Sequence, residues 1–311
     1  MGSVEVIEKS AYAEQLERFA ALVRALPQNR TFSSQEVERF AYDLRQLEGR
    51  LKGREYLRTS FKPRSVMSIP ERTQELFNDL EFYASMGRIW QGLLERALDS
   101  SEGIVAEVGC GPVPKVGIGL HYAGFTGTCH LLDIDPKAGQ MSCEYLTMLG
   151  ARYTRVAVSE SLFDPNDVKY TGLFANHLID DLILHTHCQT VGICIDDLYN
   201  DEGLYQRVWE DAAGGLRQIA ALMERFIRAV FAKTKPGGVV LLLDYPSFSH
   251  RALGLGFVTE CVRRCQGLLR ELIGDLGGVM LDSVLSAKTV VGRIELDPEN
   301  LLAFRKSKEA V

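Results

Sequence analysis

The sequence predicts an α/β protein, a mostly parallel sheet with helices on both faces, preceded by a helical N-terminal region. Three observations predict it. The first is the stretch Ile104-Val-Ala-Glu-Val-Gly-Cys-Gly-Pro-Val-Pro-Lys115, an apolar strand running into a glycine turn and then a helix start. Glycine lets a turn take left-handed angles and lets backbone approach a ligand closely, and Pro114 suits a first helical turn. The second is a change of period after Gly103. Short apolar runs at 104–108, 129–134, 153–158, 170–175 and 238–243 alternate with helical segments, and Gly109/Gly111, Gly124/Gly127, Gly150 and Gly237/Gly238 bound them. Strands alternating with helices imply a parallel sheet, because a helix makes the crossover between parallel neighbours. The third is residues 1–98, where apolar residues recur at helical spacing and no strand alternation occurs.

Taken in order, Leu16, Phe19, Val23 and Leu26 mark a helix closed by Pro27. Val37, Phe40, Leu44, Leu47 and Leu51 mark a second, and Ser33 with Glu36 three residues later is a capping-box signature for its start. A long helix is expected from Glu71 to about Leu98. These elements form a helical N-terminal cap, residues 1–98, in front of a ligand-binding domain, residues 99–311. Within that domain Leu216, Ile219, Ala220, Met223, Phe226, Ile227 and Val230 follow a helix, as do Val258–Ile273. Val279–Leu285 and Thr289–Ile294 are expected to pair as a final hairpin.

Composition narrows the function classes. A hydrophobic content of 46% is ample for a core, and a net charge of -6 sets up no overall positive field to draw nucleic acid or anionic lipid. The seven cysteines are odd in number and contain no CxxC pair, which suggests reduced thiols in a cytosol. Met1–Ala20 carries charges throughout, and the longest apolar run, Gly237–Leu243, is far too short to span a bilayer. A cytoplasmic protein acting on a small molecule is the expectation, with no nucleic acid and no membrane. The helix near 71–98 would serve either as a lid or as a homo-oligomer interface.

A second apolar strand, Leu131-Leu132-Asp133-Ile134-Asp135-Pro136, ends in acid about twenty residues after the glycine turn, the spacing of a nucleoside site in which the acid takes ribose hydroxyls. With Glu107-Val-Gly-Cys-Gly, Leu132-Asp133 and Lys235-Pro-Gly-Gly-Val-Val-Leu in order, residues 103–295 resemble the Rossmann-like class I S-adenosylmethionine (SAM)-dependent methyltransferases. A nicotinamide-binding turn fares worse, because GxGxxG fails at Pro114. A narrower resemblance is to nicotianamine synthase, whose corresponding segments read GSGPLP and DIDP. Here they are Gly109-Cys-Gly-Pro-Val-Pro and Asp133-Ile-Asp-Pro, and Phe82-Tyr83 falls where that family has an aromatic pair. That resemblance implies an enzyme using the 3-amino-3-carboxypropyl arm of SAM and releasing methylthioadenosine. The arm would go to a small amine, or close on SAM's own amine to give azetidine-2-carboxylate. Phe174-Ala-Asn-His-Leu-Ile-Asp-Asp and the segment 188–230 have no counterpart in it. The alternatives are a small-molecule N- or O-methyltransferase releasing S-adenosylhomocysteine, and a non-catalytic SAM-binding regulator.

The wider resemblance implies that Glu107 and the turn Gly109, Gly111 and Pro112 hold the amino-acid and ribose end of SAM. Asp133 would accept from the ribose hydroxyls, with Asp135 as second choice, and Ser159 and Glu160 would meet the adenine. Glu107 has a competing role as a cap for a neighbouring loop. Asn176, His177, Asp180 and Asp181 fall at the carboxyl end of the fourth strand, where ligands bind in open α/β sheets. Asn176 would hydrogen-bond the reacting amine or the sulfonium-side arm, His177 act as base and Asp180 steer a cationic amine; the competing role of Asn176 and Asp180 is to cap the following helix. Tyr83 would cover the sulfonium by cation–π attraction or fix the arm's carboxylate, and its competing role is core packing with Leu76, Leu80 and Gly87. His185, His187, Cys188 and Cys194 lack the matching second pair of a zinc site, so no metal is expected. Cys261 and Cys265, one helical turn apart, are expected in the core.

Overall fold

The strand Ile104–Val108 (β1) forms where its run of β-branched residues predicts, with four of its five residues buried. Burial on both faces marks a central strand of a parallel sheet. The computed structural model describes residues 69–308 apart from 166, 199–200, 248–249, 252, 286–287 and 292–293, together with 33–35, 38 and 42. The helix expected over Leu16–Leu26 lies outside the described residues, as does nearly all of that over Val37–Leu51.

The elements run α1 (Ile69–Ala97), β1, α2 (Lys115–Tyr122), β2 (Thr128–Leu132), α3 (Pro136–Leu149), β3 (Thr154–Val158), β4 (Tyr170–Asn176), α4 (Ile179–Val191), α5 (Ile195–Leu198), α6 (Glu202–Gly214), α7 (Leu216–Lys233), β5 (Thr234–Leu243), α8 (Gly256–Asp275), β6 (Gly278–Met280), β7 (Thr289–Val291), β8 (Ile294–Leu296) and β9 (Leu301–Lys306). Seven strands form one sheet in the order β3-β2-β1-β4-β5-β9-β6. β1 to β5 are parallel, and β9 is antiparallel to both β5 and β6. The chain leaves β1 toward β2 and later returns to its other side with β4. That reversal opens a crevice at the carboxyl ends of β1 and β4.

Alternation along β1 sorts the two cores. Val105 packs with Trp90, Leu93 and Leu94 of α1 and Val116 of α2, whereas Ala106 and Val108 pack with α4, α6, α7 and α8. The second half of α1 is thus part of the sheet's own core. α1 and α2 cross closely because a Cβ at Gly119 would strike Trp90 and one at Gly87 would strike Ile118. The end of α1 is tied across the sheet by Arg305 of β9, whose guanidinium donates to Asp99 at 2.7 and 3.1 Å and to the carbonyls of Ala97 and Gly237.

Two expectations change. β2 stops at Leu132 rather than 134, because Asp133-Ile-Asp135 is the turn into α3; Asp135 caps that helix by accepting from the Lys137 N–H, with Pro136 in its first turn. The final hairpin does not form as expected. β6 pairs with β9, and β7 pairs with β8 in a separate two-stranded sheet. Leu301-Leu-Ala-Phe304 is buried throughout and completes the core from inside the sheet, whereas Val279 is 59% exposed at the edge. Burial of Leu302 and Phe304 therefore selects the partner, which local alternation could not show. Cys261 and Cys265 are buried on α8, as expected. No helix among the described residues is long and apolar enough to cross a membrane.

Candidate active site at the carboxyl edge of the sheet

The glycine turn after β1 is a hydrogen-bonded knot with Asp133 at its centre. Gly109 and Gly111 take left-handed φ of 63° and 60°, which side-chain-bearing residues rarely adopt. The N–H groups of Gly109 and Cys110 donate to the Leu132 carbonyl at 2.8 and 3.3 Å. The Gly111 N–H donates to Asp133 Oδ2 at 2.9 Å, the Asp135 N–H donates to Asp133 Oδ1 at 3.0 Å, and Ser142 Oγ donates to the Gly111 carbonyl at 2.6 Å. A Cβ at Gly111 would meet nothing within 4 Å, so this side of the turn faces open space.

Pro112 and Pro114 supply no N–H, and Pro114 caps α2 without a side-chain hydrogen bond. Glu107 supplies it instead. Its Oε1 accepts from the Val116 N–H at 3.1 Å and its Oε2 from the Gly117 N–H at 2.8 Å. The side chain is 1% exposed, and burial raises its pKa to about 7 against the pull of those two donors. The competing role considered for Glu107, a cap, is thus visible in the geometry.

Lys115 is the functional candidate that sequence reasoning missed, although it ends the very stretch that drew attention. Its ammonium lies 5.5 Å from the centroid of the Tyr83 ring. Burial lowers its pKa, and the charges of Glu107, Asp181, Cys110 and Asp133 oppose that shift. The sequence signal is a lone cation at the start of a helix directly after the glycine turn. Tyr83 itself is 9% exposed and packs in the α1–α2 core, edge-on to Phe82 with ring centroids 5.6 Å apart.

At the end of β4 a second polar group gathers. Asn176 Oδ1 accepts from Trp90 Nε1 at 2.8 Å, and Asn176 Nδ2 donates to the Tyr245 hydroxyl at 3.0 Å. Both ends of the amide are therefore engaged within the protein. His177 is the one non-glycine residue with positive φ among those described, at 60°. Such backbone strain clusters at functional sites. Its Nδ1 lies 2.8 Å from Asp180 Oδ1 and its ring centroid 4.8 Å from that of Tyr245. Burial pulls this imidazole down, but the Asp180 charge and hydrogen bond, then Asp181 and Asp244, outweigh it and hold it at about 9. Asp244, which sequence reasoning also missed, follows β5 and caps α4, its Oδ1 accepting from the Leu178 and Ile179 N–H groups at 2.9 Å each. Burial, reinforced by the Asp180 charge, raises its pKa to about 7. Behind Asp180 stands His250, 3.9 Å from Asp180 Oδ2 and 2.8 Å from the Tyr205 hydroxyl.

The structure thus joins Gly109, Gly111, Asp133 and Asp135 in one turn, and Asn176, His177 and Asp180 in another group beside it. Pro112 is half-buried next to the turn. Ser159 is exposed after β3, and Glu160 is half-buried with its charge felt at His130, Tyr170 and Lys233. Among His185, His187, Cys188 and Cys194 no metal-sized grouping forms in the described residues; the grouping that does form is His177, Asp180 and Asp244.

Sheet order and glycine turn together define a class I SAM-dependent methyltransferase-like fold. No family model matches the chain, and no curated protein is similar to it. Among solved structures it is similar to a methyltransferase from Pyrococcus furiosus, at 12% identity over 69% of this chain and 80% of that one, with a TM-score of 0.41. It is also similar to magnesium protoporphyrin IX methyltransferase from Synechocystis PCC 6803 with bound SAH, at 12% identity, 74% and 85% coverage and a TM-score of 0.43. A third is a SAM-dependent O-methyltransferase from Thermotoga maritima, at 11% identity, 71% and 64% coverage and a TM-score of 0.38. The fold assignment rests on the strand order and not on these scores, and none of the three bears on the narrower resemblance to nicotianamine synthase.

Proposed function

We propose that the chain binds SAM across the carboxyl ends of β1, β2 and β4 and uses its 3-amino-3-carboxypropyl arm, releasing methylthioadenosine. The observation that carries this reading is the stiff, donor-poor turn at Pro112-Val113-Pro114. Two of its residues lack an N–H, Glu107 consumes two N–H groups at the start of α2, and Asp133 consumes that of Gly111. The amino-acid end of the ligand is then held by side chains, with the Lys115 ammonium pairing its carboxylate and the Tyr83 ring alongside. Asp133 takes the ribose hydroxyls with the lone pairs that the Gly111 and Asp135 N–H groups leave open.

An amine nitrogen, SAM's own or that of a small acceptor, attacks the γ-carbon of the arm. The C–S bond breaks, its electron pair goes to sulfur, and the sulfonium leaves as a neutral thioether; the amine gives up one proton. Alignment of the nitrogen with the C–S bond supplies most of the acceleration. Asn176, fixed by Trp90 and Tyr245, shapes the crevice in which that alignment is set. A second reading, methyl transfer to a small N or O acceptor, is favoured by the sheet order, which is the methyltransferase one.

Incubation with SAM, first alone and then with small amines, separates the readings by chromatography. Methylthioadenosine is the expected nucleoside product, and its formation without an acceptor would point to ring closure. S-adenosylhomocysteine as the only nucleoside product would replace arm transfer by methylation, and neither product would leave a SAM-binding regulator. In calorimetry, Asp133→Ala is expected to weaken SAM binding by about 1–3 kcal/mol, the worth of hydrogen bonds to a charged group together with a loosened turn. Unchanged affinity would place the ribose partner elsewhere.

A further inference from the structure

We propose that His177, Asp180 and Asp244 form a binding site for a divalent first-row transition-metal cation at the carboxyl ends of β4 and β5. The proposal stands independently of which carbon of SAM reacts. Each of the three side chains offers one ligand atom, and these atoms lie within 4.8 Å of one another. Around a cation with bonds of about 2.0–2.2 Å, neighbouring ligands stand about 3–3.6 Å apart. Side-chain rotations of roughly an ångström close that gap, and the His177–Asp180 hydrogen bond opens as they do.

Three elements hold the ligands from behind. Asp244 follows β5, and its Oδ1 is pinned by the first N–H groups of α4. His177 follows β4 in its left-handed conformation, its own N–H donating to the Leu243 carbonyl at 2.7 Å. Asp180 rides on the first turn of α4.

The independent observation is the other oxygen of Asp244. The residue is 2% exposed, and Oδ2 is buried with no hydrogen-bond partner. A buried carboxylate oxygen without a partner is costly, and native proteins seldom leave one without a reason such as a bound ion. A cation bound there would satisfy it while also screening Asp180.

Size points the same way. Asp244, His177 and Asp180 line a cavity of about 20 Å³, together with Tyr245, His250 and Gln266. About 10–15 Å³ is enough for one water-sized occupant. One imidazole with two carboxylates selects a transition metal such as Zn²⁺ or Mn²⁺ over Mg²⁺ or Ca²⁺, which prefer oxygen alone. His250 stands behind Asp180, 3.9 Å from its Oδ2, with its Nε2 held by the Tyr205 hydroxyl.

The test uses the purified full-length chain, stripped with chelator and dialysed against Zn²⁺, Mn²⁺ or Mg²⁺ in turn, with bound metal counted by mass spectrometry. One equivalent of Zn²⁺ or Mn²⁺ per chain is expected, with Mg²⁺ weaker by at least about tenfold. Two variants keep the fold and lose the site. Asp244→Asn retains an oxygen to cap α4 but replaces the orphaned anionic one, and His177→Gly accepts a φ of 60° without strain. Both are expected to lose the bound metal while their circular dichroism matches wild type. Failure of wild type to take up a stoichiometric metal, or uptake that persists in either variant, overturns the proposal.

Discussion

Trp90→Ala is expected to destabilise the protein by about 3–5 kcal/mol through packing alone, the usual cost of removing a large buried aromatic. Trp90 is fully buried on α1, with its ring tilted against Phe174 of β4 at a centroid distance of 6.3 Å and its Cβ at the close crossing with Gly119. The same change strips the partner from Asn176 Oδ1, and a buried acceptor left without a partner costs about 1–3 kcal/mol more. Trp90→Phe separates the two terms, because it keeps most of the packing and loses only the indole N–H. Urea unfolding should place the phenylalanine variant between wild type and alanine. A loss under about 1 kcal/mol for Trp90→Ala would mean that α1 does not share the sheet's core.

The second large effect is on pH dependence, through Glu107. Burial pushes its pKa up to about 7 in the folded protein from an ordinary value of 4.5. Between those values the folded state binds the extra proton, so stability falls as pH rises through the window and levels off above it. At about 1.4 kcal/mol per unit, the decline attributable to Glu107 is about 3 kcal/mol from pH 4.5 to 7. Other groups titrate in the same range, so the measurement is a difference. Wild type minus Glu107→Gln, followed by denaturant unfolding from pH 5 to 8, is expected to favour wild type more at pH 5 than at pH 8. A difference that is flat, or that grows with pH, would show that Glu107 is ionised and comfortable in its cap.

Both residues show what a sequence can and cannot make legible. Glu107 is conspicuous as an acid ending an apolar strand, but one dimension does not say whether its carboxylate faces a ligand or the start of α2. The geometry answers with two backbone donors at 2.8 and 3.1 Å. Asn176 and His177 are legible at the end of β4, because the apolar run 170–175 stops there. That Trp90 and Tyr245, 86 and 69 residues away, hold the two ends of the Asn176 amide is a matter of non-local packing. Asp244 escaped notice for the same reason. It follows an apolar strand just as Asp133 does, yet its importance comes from lying against His177 and Asp180, which precede it by three intervening helices and a strand.

What the sequence by itself determined is the local grammar. The β-branched runs gave strands, the glycines at 109 and 111 a left-handed turn, Asp135-Pro136 a capped helix, and the alternation of strand and helix a parallel sheet. These follow from backbone sterics and side-chain periodicity, which act over a few residues. Only the tertiary structure decided which strand completes the sheet, since β9 enters between β5 and β6 to bury Leu302 and Phe304. It also decided which polar atoms remain without a partner. Burial and hydrogen-bond satisfaction are properties of the packed chain, so the orphaned oxygen of Asp244, and the cation site it implies, could be seen nowhere but in three dimensions.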